Sequence, residues 1–528
     1  MTQTAAARYA QLAQRRQPVL ERARDNALLT IPRLVPLEGM TENDHFPMPH
    51  QSTGARVVNN LTNKESVTLL PPGSSFFRHK LTAKVEKELA EKHGENAPTE
   101  IESALVADEK AVTEYIEYTG MRPSIIEAIK QKIVAGNALL KVKEKGGIRL
   151  YKLPQYCIVR SPTGEFIEIV VKEAVAIDAL PDSIRESVRA MVANELKQAA
   201  ETKKTPPATD IVDVYTHVKR VGDRVTDYQE VKGRKIPGST GDYPADESPW
   251  IPLRFYRVDG EDYGRSLVEE YYGYLYNLEV ITKAIAEAAE QSAKVVWLVD
   301  PNGVTKLKAL TEAKSGDFVS GLAKDVEALQ MQKHADLSVA MQFAARLTEQ
   351  IEAIFLVNPT AQTQGRDRVT REEIRFLINE QNTNHAGSFS LQAQELLLPL
   401  VRGVRASMVR QNLVSRLPSE QVKTTIVTGL EALGRNAELN KLDDFLQPII
   451  RDFGPQAAER YVNMNEYMLR RANAIGLDAR LIKTTDQIAQ EDQQAQQQAL
   501  LEKATPNAVT QVGKAITQGQ SVNGRQQA

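Results

Sequence analysis

A chain of 528 residues, 42% hydrophobic and 25% charged, has the composition of a soluble protein with roughly three or four domains and a substantial core. Its formal net charge of −2 lacks the basic excess that tight nucleic-acid binders use to neutralise phosphates. The single cysteine, Cys157, excludes an intrachain disulfide and suits a reducing cytosol or indifference to redox state, and no run approaches the roughly 18 apolar residues of a membrane span.

Met1 to Ile31 is polar and amphipathic, carries Arg15, Arg16, Arg22 and Arg24, and has no apolar core of a signal peptide. The chain to about residue 145 reads as mostly helical, with a helix opening at Pro123-Ser124-Ile125 and closing at the turn Ala135-Gly136-Asn137. Gly146 to Ala176 reads as a β-meander with strands Ile148–Lys152, Tyr156–Val159 and Phe166–Val171, the last two joined by Ser161-Pro162-Thr163-Gly164. A helix over Pro181–Lys203 ends in the linker-like Lys204-Thr205-Pro206-Pro207, and strands resume at Ile211–His217 and near Ile251–Val258.

Between Asp259 and Leu413 the pattern becomes continuous. Ser266-Leu267-Val268-Glu269 is a capping box, and Leu267, Tyr271, Leu275, Leu278, Ile281, Ile285 and Ala289 mark one apolar face up to about Lys294. Such a helix is roughly 40 to 45 Å long, the length of a strut. Its other face places Glu279 before Lys283 and Glu290 before Lys294, at the spacing of weak surface ion pairs. Val295–Val299, closed by Asp300-Pro301-Asn302-Gly303, reads as a strand, and Gly316–Gly321 as its partner. Leu337–Val357 returns to helix, capped by Asp336, with Met341, Ala344, Leu347, Ile351, Ile354 and Phe355 on one stripe. A polar loop, Asn358–Val369, precedes a second capping box, Thr370-Arg371-Glu372-Glu373. The helix that follows can run to about Leu413 with bends at Gly387 and Pro399.

After Pro418, Thr424–Val427 reads as a strand returning to the α+β body, and helices are expected over about 436 to 475. From Gln487 the chain is Gln-rich with few large apolar groups, the composition of a helix fraying into disorder.

Catalytic chemistry finds no foothold. Gly513-Lys514-Ala515 lacks the upstream glycine and the hydroxyl of a phosphate loop. His45, His50, His79, His93, His217, His334 and His385 show no zinc spacing, and one cysteine excludes a thiolate zinc site. Acidic pairs such as Glu269-Glu270 and Glu372-Glu373 sit in first helical turns, where the helix dipole accounts for them. No metal, cofactor or enzymatic activity is expected.

The order of parts, together with Asp259–Ser266, Arg366–Arg375 and Thr428–Arg435, resembles the portal, or head-to-tail connector, of short-tailed double-stranded DNA bacteriophages. Gly54–Leu61, Val134–Leu140 and Ala472–Gly476 extend the resemblance from about residue 20 to 490. It implies a predominantly helical α+β portal fold with wing, stem, clip and crown, assembled as a homo-oligomeric ring, twelve-fold in the virion. It assigns 1–262 to the wing, 263–294 and 337–357 to the stem, and 295–336 to the clip. A channel loop at 358–369, a long helix with return to wing and crown at 370–486, and a disordered tail at 487–528 complete the assignment. Glu279, Lys283, Glu287, Glu290 and Lys294 would line the stem channel, while Lys306, Lys308 and Lys314 would dock the packaging motor. Gln362, Gln364, Arg366 and Arg368 would face DNA, the arginines pairing with Asp367 or Glu372 when the bore is empty. Partners implied are non-specifically bound double-stranded DNA, the terminase large subunit, capsid and scaffolding proteins, and tail or adaptor proteins, without membrane insertion. Near-neutral walls fit this role, because repeated lysines around a bore would trap a duplex rather than let it slide. The alternative is a non-viral oligomeric scaffolding protein with a helical hairpin; a multidomain hydrolase fits worse, since no site can be named for it.

Overall fold

The computed structural model describes residues 3–40, 43–72, 75–93, 97–202, 210–293, 296–329, 334–355, 391–418 and 420–427, with 445–454 and scattered positions up to 468 beyond them. Two units divide the chain, Met1–Thr428 and Gly429–Ala528. In the second, residues 445–453 are helical, and Leu446 and Tyr467 are buried in one cluster.

In the first unit, Thr4 accepts the Ala7 N–H at 3.3 Å and starts α1 (Ala5–Leu28), whose Tyr9, Leu12, Leu20, Ala23 and Ala27 are buried. Then come α2 (Thr53–Leu69), β1 (Phe77–Leu81), α3 (Ala83–His93), α4 (Ala97–Tyr118) and α5 (Met121–Ala135). Helix α5 stops where Gly136 takes a left-handed φ of 74° and donates its N–H to the Lys132 carbonyl, and the chain turns directly into β2 (Asn137–Val142). β3 (Ile148–Tyr151), β4 (Tyr156–Arg160), β5 (Phe166–Ala176), α6 (Asp182–Thr202), β6 (Ile211–Val221), β7 (Arg224–Val231), β8 (Arg234–Lys235), β9 (Gly241–Pro244) and β10 (Trp250–Arg254) complete the body.

The expected single meander is two sheets. β3 pairs with β2 in the order β10-β2-β3, whereas β4 and β5 begin β4-β5-β6-β7-β8, with β9 also on β7. A 3-10 turn at Leu153–Gln155, pinned by fully buried Leu153, redirects the chain between them. Strand β2 escapes sequence reading because it is buried on both faces and lacks polar alternation. The main core joins α2, α5, β2 and β10 through Val57, Leu61, Ile129, Leu139 and Trp250; a smaller one packs Ile184, Val188 and Val192 of α6 against Val212, Val214 and Val231.

Beyond the body, α7 (Leu267–Glu270) and α8 (Tyr272–Ala293) make one strut interrupted at Tyr271. β11 (Val296–Val299), α9 (Leu307–Glu312), β12 (Val326–Leu329) and α10 (His334–Ile354) follow. The partner of β11 is β12, with Val296 opposite Leu329, not Gly316–Gly321. That segment is a turn: Gly316 has φ 101°, and Asp317 accepts the Lys314 N–H at 2.7 Å. Helix α10 already begins at His334, so Asp336 lies inside it and not at the expected boundary. From Leu391 the chain is helical through a π turn at Ala393–Leu397 into α11 (Leu398–Arg410), so the irregularity expected at Pro399 takes the form of a widened turn just before it. β13 (Val422–Ile426) returns to pair with β1. The box at Thr370–Glu373, Gly387 and everything expected beyond residue 468 lie outside the described residues.

Candidate functional site: the helical hairpin, its anchor and the module at its tip

The strut is bolted to the body at a corner built from three distant stretches of sequence. Asn137 donates Nδ2 to the Gly264 carbonyl at 2.9 Å and to Ala135 at 3.1 Å, and its Oδ1 accepts the Gly264 N–H at 2.8 Å. Asn26 of α1 donates to the Val134 carbonyl at 3.2 Å and to Ser266 Oγ at 3.0 Å. Ser266 Oγ also accepts the Glu269 N–H at 2.8 Å, the expected cap of the strut. The reciprocal half of the capping box is replaced: the Glu269 carboxylate takes Arg265 at 2.6 Å and Arg22 at 3.0 Å. No side chain fits where the backbones meet. A Cβ on Gly136 would stand 2.7 Å from the Gly264 carbonyl oxygen, and one on Gly264 2.7 Å from Arg254 Cβ. The Tyr263 hydroxyl accepts the Ile158 N–H at 3.1 Å and Asp262 that of Arg160 at 2.6 Å, so 261–266 is held along its length.

Helices α8 and α10 form an antiparallel hairpin, with Tyr271 at the start of one against Phe355 just past the end of the other and Leu275, Leu278, Leu347 and Ile351 buried in the seam. Glu279 does not pair with Lys283. It turns to the loop before α2 and accepts from His50 N at 2.9 Å and Gln51 N at 3.2 Å, with His50 Nδ1 at 2.8 Å. Burial works to raise its carboxyl, but these hydrogen bonds outweigh it and hold Glu279 below the usual range. A half-buried carboxylate with two backbone donors outcompetes an exposed i,i+4 pair worth a few tenths of a kcal/mol. Lys283 instead stands 4.0 Å from Glu287, both exposed, and Glu290 is exposed too; Lys294 lies outside the described residues. Arg56 of α2 pairs with Glu352 of α10, giving the hairpin a second clamp to the body.

At the far end of the hairpin, 296–329 has a polar centre. Buried Asp325 accepts from Thr305 N at 3.1 Å and Thr305 Oγ1 at 2.9 Å, and its carbonyl accepts the Asp300 N–H at 2.9 Å. Large apolar groups point outward: Phe318 is fully exposed, and Val304 and Leu307 mostly so. Lys306, Lys308 and Lys314 are all exposed, Lys308 being 4.0 Å from Glu312. On the long helix, Glu395 accepts from buried Arg254 through N at 3.1 Å and Nε at 3.0 Å, closing the free edge of β10.

Gln362, Gln364, Arg366 and Arg368 lie outside the described residues. Among the described residues no group of three or more His, Cys, Asp or Glu is placed to hold a metal, and no helix is long and apolar enough to cross a membrane. Sequence reading missed Asn26, Asn137, His50 and the Arg56–Glu352 pair. Asn137 alone left a trace, as a polar residue between a left-handed glycine and an apolar run.

An α+β body carrying a bolted helical hairpin with a small β-module at its tip defines a connector. The chain belongs to the family described as bacteriophage head to tail connecting protein, which it matches over residues 2–482. It is 38% identical over 491 residues to the portal protein of Enterobacteria phage T3, covering 92% of this chain and 88% of that one. It is 35% identical over 499 residues to the portal protein of Escherichia phage T7 (93% and 90%), and 30% over 505 residues to that of Enterobacteria phage SP6 (95% and 94%). Among solved structures, a chain from the neck of an empty gene transfer agent particle covers 75% of this chain and 86% of its own at 13% identity, with a TM-score of 0.34, too loose to carry an argument. The protein is a portal-type component of the virion at the head–tail connection.

Proposed function

We propose that the chain forms a homo-oligomeric ring, twelve-fold in the assembled particle, at a capsid vertex through which double-stranded DNA is packaged and ejected. The observation that carries the ring is the hairpin. Tyr276 and Val280 of α8 and Val339 and Phe343 of α10 are 50%, 49%, 66% and 48% exposed, away from the seam the two helices share. One hairpin cannot cover these stripes, and neighbouring copies around an axis can. In this reading 1–262 is the wing, 263–294 and 337–357 the stem, 295–336 the clip, 358–369 the channel loop, 370–486 the long helix, return to wing and crown, and 487–528 the tail. The clip, with outward apolar groups and lysines, receives the terminase motor and later tail or adaptor proteins; the body meets capsid and scaffolding proteins during assembly in the host cytoplasm. The protein itself hydrolyses nothing and conducts DNA without holding it.

Negative-stain imaging and light scattering of the purified chain test the ring. Closed rings support it, and a compact monomer at micromolar concentration, in both low and moderate salt, overturns it. The clip assignment is tested with Lys306→Glu, Lys308→Glu and Lys314→Glu together, which should leave rings intact and weaken motor docking; normal packaging overturns it. Arg366→Ala with Arg368→Ala should preserve rings but leak genome from filled heads, and full retention reduces 358–369 to a linker.

A further inference from the structure

The two-stranded ribbon of β1 and β13 carries one sign of charge on its outward face. The strands pair antiparallel, with Phe77 opposite Ile426, His79 opposite Thr424 and Leu81 opposite Val422 on the side turned to α4, where Phe77 and His79 are buried. Alternation turns Arg78, Lys80, Lys423 and Thr425 to the other side, and Lys80 stands directly opposite Lys423. Lys80, Lys423 and Thr425 are exposed and Arg78 is half-buried. Among the described residues, Arg78, Lys80 and Lys423 form no ion pair, whereas Lys84 just beyond β1 stands 4.0 Å from Glu88. Glu109 lies within the electrostatic reach of Arg78, but it is buried and its carboxylate takes the His79 N–H at 2.6 Å.

Like charges directly opposite one another on paired strands weaken the pairing. Lysines on short edge strands do keep a sheet from joining another, but a glutamate at either position would serve as well and would pair across the ribbon. The chain has 68 acidic residues to 66 basic ones, so nothing in its composition forces cations onto both strands. An anionic partner lying on the face turns the repulsion into attraction.

We propose that this face binds the phosphate backbone of double-stranded DNA outside the bore, with Arg78, Lys80 and Lys423 each taking a phosphate and the Thr425 hydroxyl donating beside them. Alternate residues on a strand stand about 6.6 Å apart and the neighbouring strand about 4.8 Å away, so the three cations fall within the span of two base-pair steps of about 3.4 Å. The outward residues of the ribbon include no aromatic ring to stack an unpaired base and no apolar anchor to seat a protein, which leaves a duplex backbone held without regard to sequence. The inference rests on the portal reading above for the source of the duplex, the genome in the head. β1 and β13 fall in the parts assigned there to the wing and the return to it, so a grip here leaves the stem and the channel loop free to pass DNA.

A covalently closed circular duplex tests this on the full-length protein, because it cannot thread a ring and reports outer surfaces alone. Wild type should bind it at about 50 mM salt and lose at least about 40-fold in affinity by about 200 mM, the effect of roughly three neutralised phosphates per engaged copy. Arg78→Gln, Lys80→Gln and Lys423→Gln together should weaken binding at least about tenfold and flatten that salt dependence, with light scattering unchanged. Lys80→Glu separates binding from folding: it should lose duplex affinity while the β13 amides exchange more slowly, since the new carboxylate faces Lys423. No binding of closed circles by wild type, binding of a linear duplex alone, or equal binding by the triple variant overturns the proposal. So does a polyglutamate that displaces the circle charge for charge, which assigns the face to an acidic protein. The circle reads the face whether or not the copies close into rings, so failure of the ring reading shows in the scattering and failure of this one in the binding.

Discussion

Removing the Asn137 amide should unbolt the strut from the body. Asn137 is 2% exposed and satisfies both the N–H and the carbonyl of Gly264. Asn137→Ala leaves those two groups buried without partners, at about 1 to 3 kcal/mol each, because water cannot replace the lost amide in so closed a corner. Gly264 is closely packed where it sits: a Cβ built on it would stand 2.7 Å from Arg254 Cβ. Partial relaxation puts the expected loss near ~3 kcal/mol, equivalent to about 150-fold in a local opening equilibrium. Thermal midpoints are a poor readout for an assembling protein, since association shifts them with concentration. Hydrogen exchange at fixed protein concentration is direct: amides of Ser266–Glu270 should exchange about 150-fold faster, while Ile184–Val192 of α6, in a separate core, stays unchanged. A change under about threefold at Ser266–Glu270, or an equal change in α6, refutes the reasoning.

Three further outcomes are expected. The Glu168 carboxyl is raised by burial but held at about 2 by stronger opposing hydrogen bonds from His217 and Arg8. Its contribution, on the order of 3 kcal/mol, is therefore full above its ordinary 4.5 and lost as pH falls toward 2. Acid release of α1, followed by exchange of its amides, should lose this limb in Glu168→Gln; an unchanged limb contradicts it. Asp325→Ala strips Thr305 N of its acceptor and should cost about 2 kcal/mol, loosening 296–329 by exchange while the body is unaffected. Gly136→Ala should destabilise by at least about 2 kcal/mol more than Gly39→Ala in chemical denaturation. Both positions have positive φ, 74° and 81°, but only Gly136 is packed against Gly264.

The strut, its seam and its start at Ser266 were legible because caps and periodicity are local: Leu275, Leu278, Leu347 and Ile351 face one another as their spacing requires. The β-type run after the strut was legible for the same reason, as was the strand returning at 422–426. What local pattern cannot carry is the choice among partners of similar worth. Local pattern offers Gly316–Gly321 as the partner of β11, yet β11 pairs with Val326–Leu329, next to the buried Asp325–Thr305 contact. Glu279 had Lys283 one turn away, yet two backbone donors brought by a loop more than 200 residues earlier offered more. Ile148–Lys152 and Tyr156–Val159 read as neighbours in one meander, but with Leu153 buried at the turn between them they fall in two sheets. The sequence by itself determined where the capped strut begins and which side chains of the hairpin turn inward. Which distant backbone group Asn137, Asn26, Glu279 and Glu395 would satisfy was decided only by tertiary structure, since a buried donor or acceptor takes whichever partner the packing of the core brings within about 3 Å.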